Sequence, residues 1–161
     1  MTNQTPVQIA WVTLDLDATE AALTTLLGAR KWIRMPGVHF GPDTCVHRGA
    51  PADYHADISL SYAGETQLEL IAPTRGDSVY SEFLATSPAG LHHICQETVD
   101  AEAFDAALEA AGPAVAAHGV MPGGMRFAYL AAPEAGVPYL EIAYVSEEIR
   151  AFFDYVKQEQ Q

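Results

Sequence analysis

Two short stretches, Leu68-Glu69-Leu70 and Leu140-Glu141-Ile142, each set a carboxylate between two aliphatics. Successive side chains of a strand alternate between faces, so each glutamate stands opposite its aliphatic neighbours. Gln8 before Ile9 and His93 before Ile94 stand in the same relation. Helices cover the aliphatic face of a sheet, which leaves Gln8, Glu69, His93 and Glu141 on the face away from them. If the sheets curve toward each other, these four side chains point into one cavity. Three oxygen donors and one nitrogen suit a divalent ion of intermediate hardness: zinc, nickel, cobalt, manganese or iron(II). Without thiolates, such a shell leaves room for water or substrate. The ion would polarise a carbonyl, and a carboxylate beside it could move a proton at the adjacent carbon. Taken singly, Glu69 reads as the solvated face of a sheet and His93 as a structural residue. The recurrence of the pattern is what favours a shared site.

The elements that must position these residues repeat. Val7–Leu14 reads as a buried strand. The next stretch, with Asp17 as N-cap, an apolar face of Ala21, Leu23, Leu26 and Leu27, and Gly28 as the stop, reads as a helix. Residues 31–53 carry Pro36, Gly37, Gly41, Pro42, Gly49 and Pro51, which predicts a short strand and a long irregular loop. His55–Tyr62 and Thr66–Ala72 alternate about a turn and read as a hairpin. A linker and a short helix-like Val79–Ala85 follow. After Pro88 the order starts over: strand Leu91–Val99, helix Asp100–Gly112, then strands at Ala114–Val120, Met125–Ala132 and Val137–Val145. The last 16 residues read as a helix with Ile149, Phe152, Phe153 and Val156 on its apolar face. The order β-α-β-β-β thus occurs twice, which points to a duplicated, fused module in an α+β domain. Module one covers about 6–73, the linker 74–89, module two about 90–145, and the terminal helix 146–159, within one domain of 1–161.

Eight Lys plus Arg face 21 Asp plus Glu, a net charge of -13. That field repels phosphate backbones and argues against nucleic acid and anionic membranes as partners. No apolar run approaches the ~20 residues of a membrane span, and the N-terminus shows no basic and apolar leader pattern. Cys45 and Cys95 have neither CxxC spacing nor a disulfide framework, so a cytoplasmic location is expected. His39, His47 and His55, with Cys45 near them, lack recognisable ligand spacing and read as a solvated loop rather than a second metal site. His92 falls on the helix side if His93 faces the cavity, and reads as structural. Arg126 is a candidate partner for a substrate carboxylate or a solvent-facing cation. Tyr129 and Tyr139 either line the cavity or pack.

With "QLELIAP", "GLHHI", "YLEIA" and the weaker "GGMRFAYL" in hand, the chain from Val7 to about Tyr144 resembles the vicinal-oxygen-chelate superfamily of glyoxalases, bleomycin-resistance proteins and extradiol dioxygenases. The resemblance implies paired βαβββ modules forming a cupped, incompletely closed β-barrel with helices outside, around a divalent metal. It places the ligand positions on Gln8, Glu69, His93 and Glu141. The chain looks most like methylmalonyl-CoA epimerases and one class of glyoxalase I, and Gln8 departs from the His many of them have. Those relatives transfer a proton next to a metal-bound carbonyl. The resemblance therefore implies a metal-dependent isomerase or lyase acting on a small oxygenated substrate, with Glu141, and less directly Glu69, as base. Asp57 is the nearest counterpart of a second epimerase carboxylate. The alternatives are a non-catalytic, antibiotic-sequestering binder and an extradiol-type dioxygenase. Family members are commonly homodimers, so a homodimer is expected.

Overall fold

The computed structural model describes residues 5–161; the first four residues, where a leader pattern was sought, lie outside the described residues. The first half of the chain forms β1 (Pro6–Val12), α1 (Leu16–Leu27), β2 (Ile33–Phe40), β3 (Cys45–His47), β4 (Ala50–Pro51), β5 (Tyr54–Ala63) and β6 (Thr66–Arg75). Helix α2 (Val79–Thr86) leads to β7 (Gly90–Thr98), α3 (Ala101–Ala111), β8 (Val115–Val120), β9 (Arg126–Ala131), β10 (Tyr139–Tyr144) and the closing α4 (Glu147–Gln158). No described helix is long and apolar enough to cross a membrane.

All ten strands join one sheet in the order β2-β5-β6-β1-β7-β10-β9-β8-β3-β4. Strands β1 and β7 meet antiparallel at its centre, with Ile9 opposite Ile94, Gln8 opposite Cys95 and Ala10 opposite His93. That register is its own mirror image under exchange of the two halves, the signature of a local two-fold. Each central strand then has a parallel partner from its own half, β6 beside β1 and β10 beside β7. Residues 41–44 connect β2, at one end of the sheet order, to β3, which pairs with β8 near the other end. A chain reaches at most about 3.6 Å per residue, so this link draws the two ends together and the sheet curls into a cup.

Residues 31–53 are therefore more ordered than their Pro and Gly content suggests. Pro36 and Gly37 sit at a register shift between Met35 and Val38, and β2 is an edge strand, where a missing N–H costs no ladder bond. The N-cap of α1 is Asp15, whose carboxylate accepts from Ala18 N–H, and not Asp17. Gly28 ends the helix at φ 78°, in the left-handed region where glycine carries no Cβ penalty. Only Leu23 of the α1 apolar face is buried, and Leu26 is exposed.

The larger core lies inside the cup, where Val12, Phe40, Tyr54, Ile58, Leu60, Tyr80, Phe127, Tyr129, Phe153 and Val156 pack together. A smaller one, Phe104 with Ala128 and Ile142, seals α3 to the outer face. Helix α4 packs against the inside of the cup, with Phe153 and Val156 in the larger core. Ser146 caps it, accepting from Ile149 N–H and donating to Gly123 O at 2.6 Å.

Candidate functional site

Glu69 on β6, His93 on β7 and Glu141 on β10 converge inside the cup. The His93 Nε2 lies 3.4 Å from Glu69 Oε1 and 3.7 Å from Glu141 Oε1. Ala10 on β1 is in register with both Glu69 and His93, and its methyl leaves the space between them open. Burial pushes both carboxyls from 4.5 up to about 7. For Glu141 the His93 ring pulls the other way and Glu69 adds to the rise, while the Cys95 thiol and Tyr129 hydroxyl favour the ionised form. The Glu141 side chain is 6 % exposed and that of Glu69 15 %, so water in the cavity relieves Glu69 more.

Gln8 is buried on the same face, one register step away. Its Nε2 donates to Gln67 Oε1 at 2.5 Å, Gln67 donates to Tyr62, and the Gln8 Oε1 has no partner. The pairing with Gln67 is a constraint that the spacing of polar residues did not reveal.

The adjacent histidines differ from the alternation expected of them. A register shift between Ala10 and Trp11 bulges β7 at His92, so that both rings reach the interior and both pack on Tyr129. Their Nδ1 atoms are 2.8 Å apart, a contact in which one ring donates and the other accepts. Burial holds His92 neutral, lowering it to about 3, and lowers His93 as well. With its Nδ1 engaged by His92, the His93 ring is fixed with Nε2 toward the two carboxylates. His92 is thus an orienting partner rather than a bystander.

Above this floor lies a cavity of about 250 Å³. Its walls come from both halves and from α4, and include Met35, Leu60, Met121, Phe127 and Phe152. The polar groups in its lining are the carboxylates of Glu69 and Glu141 and the hydroxyls of Tyr80 and Tyr129, the hydroxyls 2.5 Å apart. Tyr80 comes from α2, in the linker between the repeats, and no motif marked it; the only signal was an aromatic in a short amphipathic stretch. No Lys or Arg among the described residues lines the cavity.

The remaining candidates scatter. Tyr129 lines the cavity. Tyr139 is half-buried beside His92, and its hydroxyl accepts from Arg48 at 3.3 Å. Asp57 is not brought to the cavity: Ile58 and Leu60 of β5 face inward, which turns Asp57 outward to accept from Gly37 N–H at 2.7 Å. Arg126 is likewise outside, because Phe127 and Tyr129 take the inward phase of β9; it pairs with Asp105 and lies over the Phe104 ring at 4.5 Å. Arg34 is held by Asp17 and Glu20, and Lys31 by Glu159, so neither faces the cavity.

The profile of the Glyoxalase/Bleomycin resistance protein/Dioxygenase superfamily matches residues 7–129. The chain belongs to this superfamily. Among solved structures, a methylmalonyl-CoA epimerase from Mycobacterium tuberculosis superimposes with a TM-score of 0.63 at 17% identity, covering 94% of this chain and 96% of its own. A hypothetical protein from Bacillus halodurans C-125 gives 0.59 at 18% identity, over 91% and 97%. A Streptomyces coelicolor methylmalonyl-CoA epimerase in complex with 2-nitronate-propionyl-CoA gives 0.54 at 22%, over 88% and 98%. At these identities the likeness is one of fold. No curated protein matches the chain at a significant level.

The ten-stranded cup is the vicinal-oxygen-chelate fold, and its interior donors can be tested against the divalent ion that the superfamily resemblance implies. Two ligands at about 2.1 Å from one ion stand roughly 3 to 3.4 Å apart at octahedral or tetrahedral angles. The 3.4 and 3.7 Å separations about His93 Nε2 are close to that. Gln8 Oε1 and His93 Nε2 are both buried without a hydrogen-bond partner, and two acids crowd one imidazole. An ion would give His93 Nε2 the partner it lacks and offset the two acids beside it, and a buried, unpaired amide oxygen such as Gln8 Oε1 is a suitable further donor, so the residues fit in chemistry. They are gathered more loosely than the His39, Asp53 and His55 donors, which all lie within 4.8 Å of one another.

Proposed function

We propose that the protein is a metal-dependent isomerase or lyase that moves a proton at the carbon beside a carbonyl of a small, uncharged, largely apolar substrate. The carrying observation is the pair Glu69 and Glu141 about His93 Nε2 at the floor of a cavity whose other walls are apolar. Gln8, Glu69, His93 and Glu141 would hold the ion, which, when bound, supplies Lewis-acid polarisation of the carbonyl. The remaining chemistry belongs to the chain's own groups. In the metal-free protein burial pushes these carboxyls up to about 7; the ion's charge would draw them back down, so a carboxylate released toward substrate is ionised and can take a proton from carbon and return it. Glu141 has the Tyr129 hydroxyl and Cys95 thiol beside it to stabilise its ionised form, which makes it the first choice of base. The Tyr80–Tyr129 hydroxyl pair has one proton beyond the one it shares, which serves either Glu141 or a substrate oxygen. The Phe, Met and Leu walls exclude water from the reacting carbon.

The lining also narrows the substrate. The acyl portion of a dicarboxylate ester would bring a second carboxylate into a space with two acids and, beside the ion, no Lys or Arg to pair with it, and anchors for phosphates are absent from the cavity lining among the described residues. This favours an uncharged hydroxycarbonyl or similar compound over a coenzyme A ester of a dicarboxylic acid. The test is solvent deuterium incorporation into uncharged and anionic α-substituted carbonyl compounds, followed by NMR with zinc-, nickel- or manganese-loaded protein. Exchange is expected for uncharged compounds and should vanish in Glu141→Gln. Protein that stays metal-free after incubation with all three ions overturns the proposal. The apolar, aromatic lining also favours a second reading, a binder of apolar small molecules. Tight binding with no exchange, unaffected by Glu141→Gln, would establish that instead.

A further inference from the structure

We propose that a second divalent-metal site lies on the outside of the cup, formed by His39, Asp53 and His55. The pairing of β2 with β5 sets His39 directly opposite His55, and Asp53 precedes His55 by two residues, the spacing that returns an extended chain to the same face. The two imidazoles stack at 4.1 Å between ring centroids and 3° between planes. Asp53 Oδ1 is 2.7 Å from His39 Nε2. One donor atom from each residue falls within a common 4.8 Å span. The set is two nitrogens and one carboxylate oxygen, open to water on its exposed side, where His39 and Asp53 keep 51% and 69% of their side-chain surface. Zinc, nickel and copper(II) favour such donors over harder ions.

Two further observations point to a ligand rather than a solvated loop. The Nδ1 of His55 is buried with no hydrogen-bond partner, a state that an ion or its water would relieve. The backbone under the site is held rigidly: Gly76, at φ +82°, approaches so closely that a Cβ there would stand 2.3 Å from Asp53 O. The three ligands sit on two paired strands and a pinned turn, so the backbone is in place and only side chains reorder when the ion arrives. Arg75, opposite His55 on β6, is the cation that an ion must share the site with, and its charge already acts on Asp53. Stacked rings aim their nitrogen lone pairs in parallel planes, so both can meet one ion only after a side-chain rotation. Binding therefore unstacks His39 from His55.

The site shares none of its three ligands with the cavity lining, so the two can be separated. Zinc binding is measured by equilibrium dialysis and elemental analysis on Glu69→Gln/Glu141→Gln protein, which has lost the acids of the cavity. One zinc per chain is expected to remain. Adding His39→Ala, an exposed position, or His55→Ala should weaken it at least about tenfold, as losses around a metal centre do. Ring-proton NMR should show zinc shifting His39 and His55 together. Zinc binding that is unchanged by both histidine substitutions overturns the proposal, as does double-glutamine protein that binds no zinc. A thermal melt of His39→Ala matching its parent shows that any loss is not unfolding.

Discussion

Glu141→Gln in chelated, metal-free protein should raise stability at pH 8 and matter little at pH 5. Burial is the main reason that the Glu141 carboxyl titrates at about 7 instead of 4.5. The folded state thus keeps a proton that the unfolded chain gives up between these values. Stability is linked to the difference in bound protons, and the unfolded state binds fewer in this window. The group's contribution therefore falls as pH rises from 4.5 to about 7 and is flat on either side. At about 1.4 kcal/mol per pH unit, the ionised carboxylate costs the fold roughly 3 kcal/mol above pH 7. The side chain is 6 % exposed, so solvent screens little of this. Glutamine has the same shape and no proton to lose. It should remove the cost, raising the melting midpoint at pH 8 by about 6–12 °C for a chain of this size. At pH 5 the gain should shrink below roughly 1 kcal/mol. Urea or thermal denaturation in chelator at both pH values measures it. A variant no more stable than the parent at pH 8, or a gain that persists at pH 5, refutes the reasoning. Saturating zinc should reverse the sign, because the parent gains stability from an ion that the variant has lost a ligand for.

Other outcomes follow from the same geometry. His92→Ala should weaken zinc binding at the cavity site by about 10- to 100-fold, read by calorimetry, since it frees the His93 ring to turn; unchanged affinity would return His92 to a packing role. Gly76→Ala should cost about 2 kcal/mol or more in urea denaturation, from the positive φ and the contact with Asp53 O together. Arg126→Ala should cost about 1 kcal/mol or less, the worth of a part-exposed ion pair and ring contact, and leave ligand binding in the cavity untouched.

The repeat and the inward phase of Glu69 and Glu141 were legible because Leu68, Leu70 and Ile142 mark the helix-covered side of their strands. The same phase logic misleads on β5 and β9, where Ile58, Leu60 and Phe127 face the cavity instead of a helix, so that Asp57 and Arg126 turn outward. Their assignment came from resemblance and from charge, which say nothing about strand phase. His92 was hidden for a different reason: a bulge breaks alternation, and nothing in "GLHHI" signals one. Strand β2 was obscured by Pro36 and Gly37, which an edge position tolerates and an interior one would not. Tyr80 reaches the site only through the path of the linker. His39 and His55 become neighbours only once β2 and β5 find their register, which the 15 residues of sequence between them do not reveal.

Strands β3 and β4 belong by sequence to the first repeat but pair at the edge of the second, on β8. The duplication has therefore become irreversible. A gene encoding either half alone would yield a sheet with a bare edge, β8 lacking its cover or β3 lacking its template, and such edges recruit other chains. During synthesis the same exchange means that β3 must wait some seventy residues for its partner, a contact of high sequence separation that slows folding. The interior donors of β6, β7 and β10 are assembled on the same late schedule, so capture of the proposed ion would be an event of the finished protein rather than a seed for its folding.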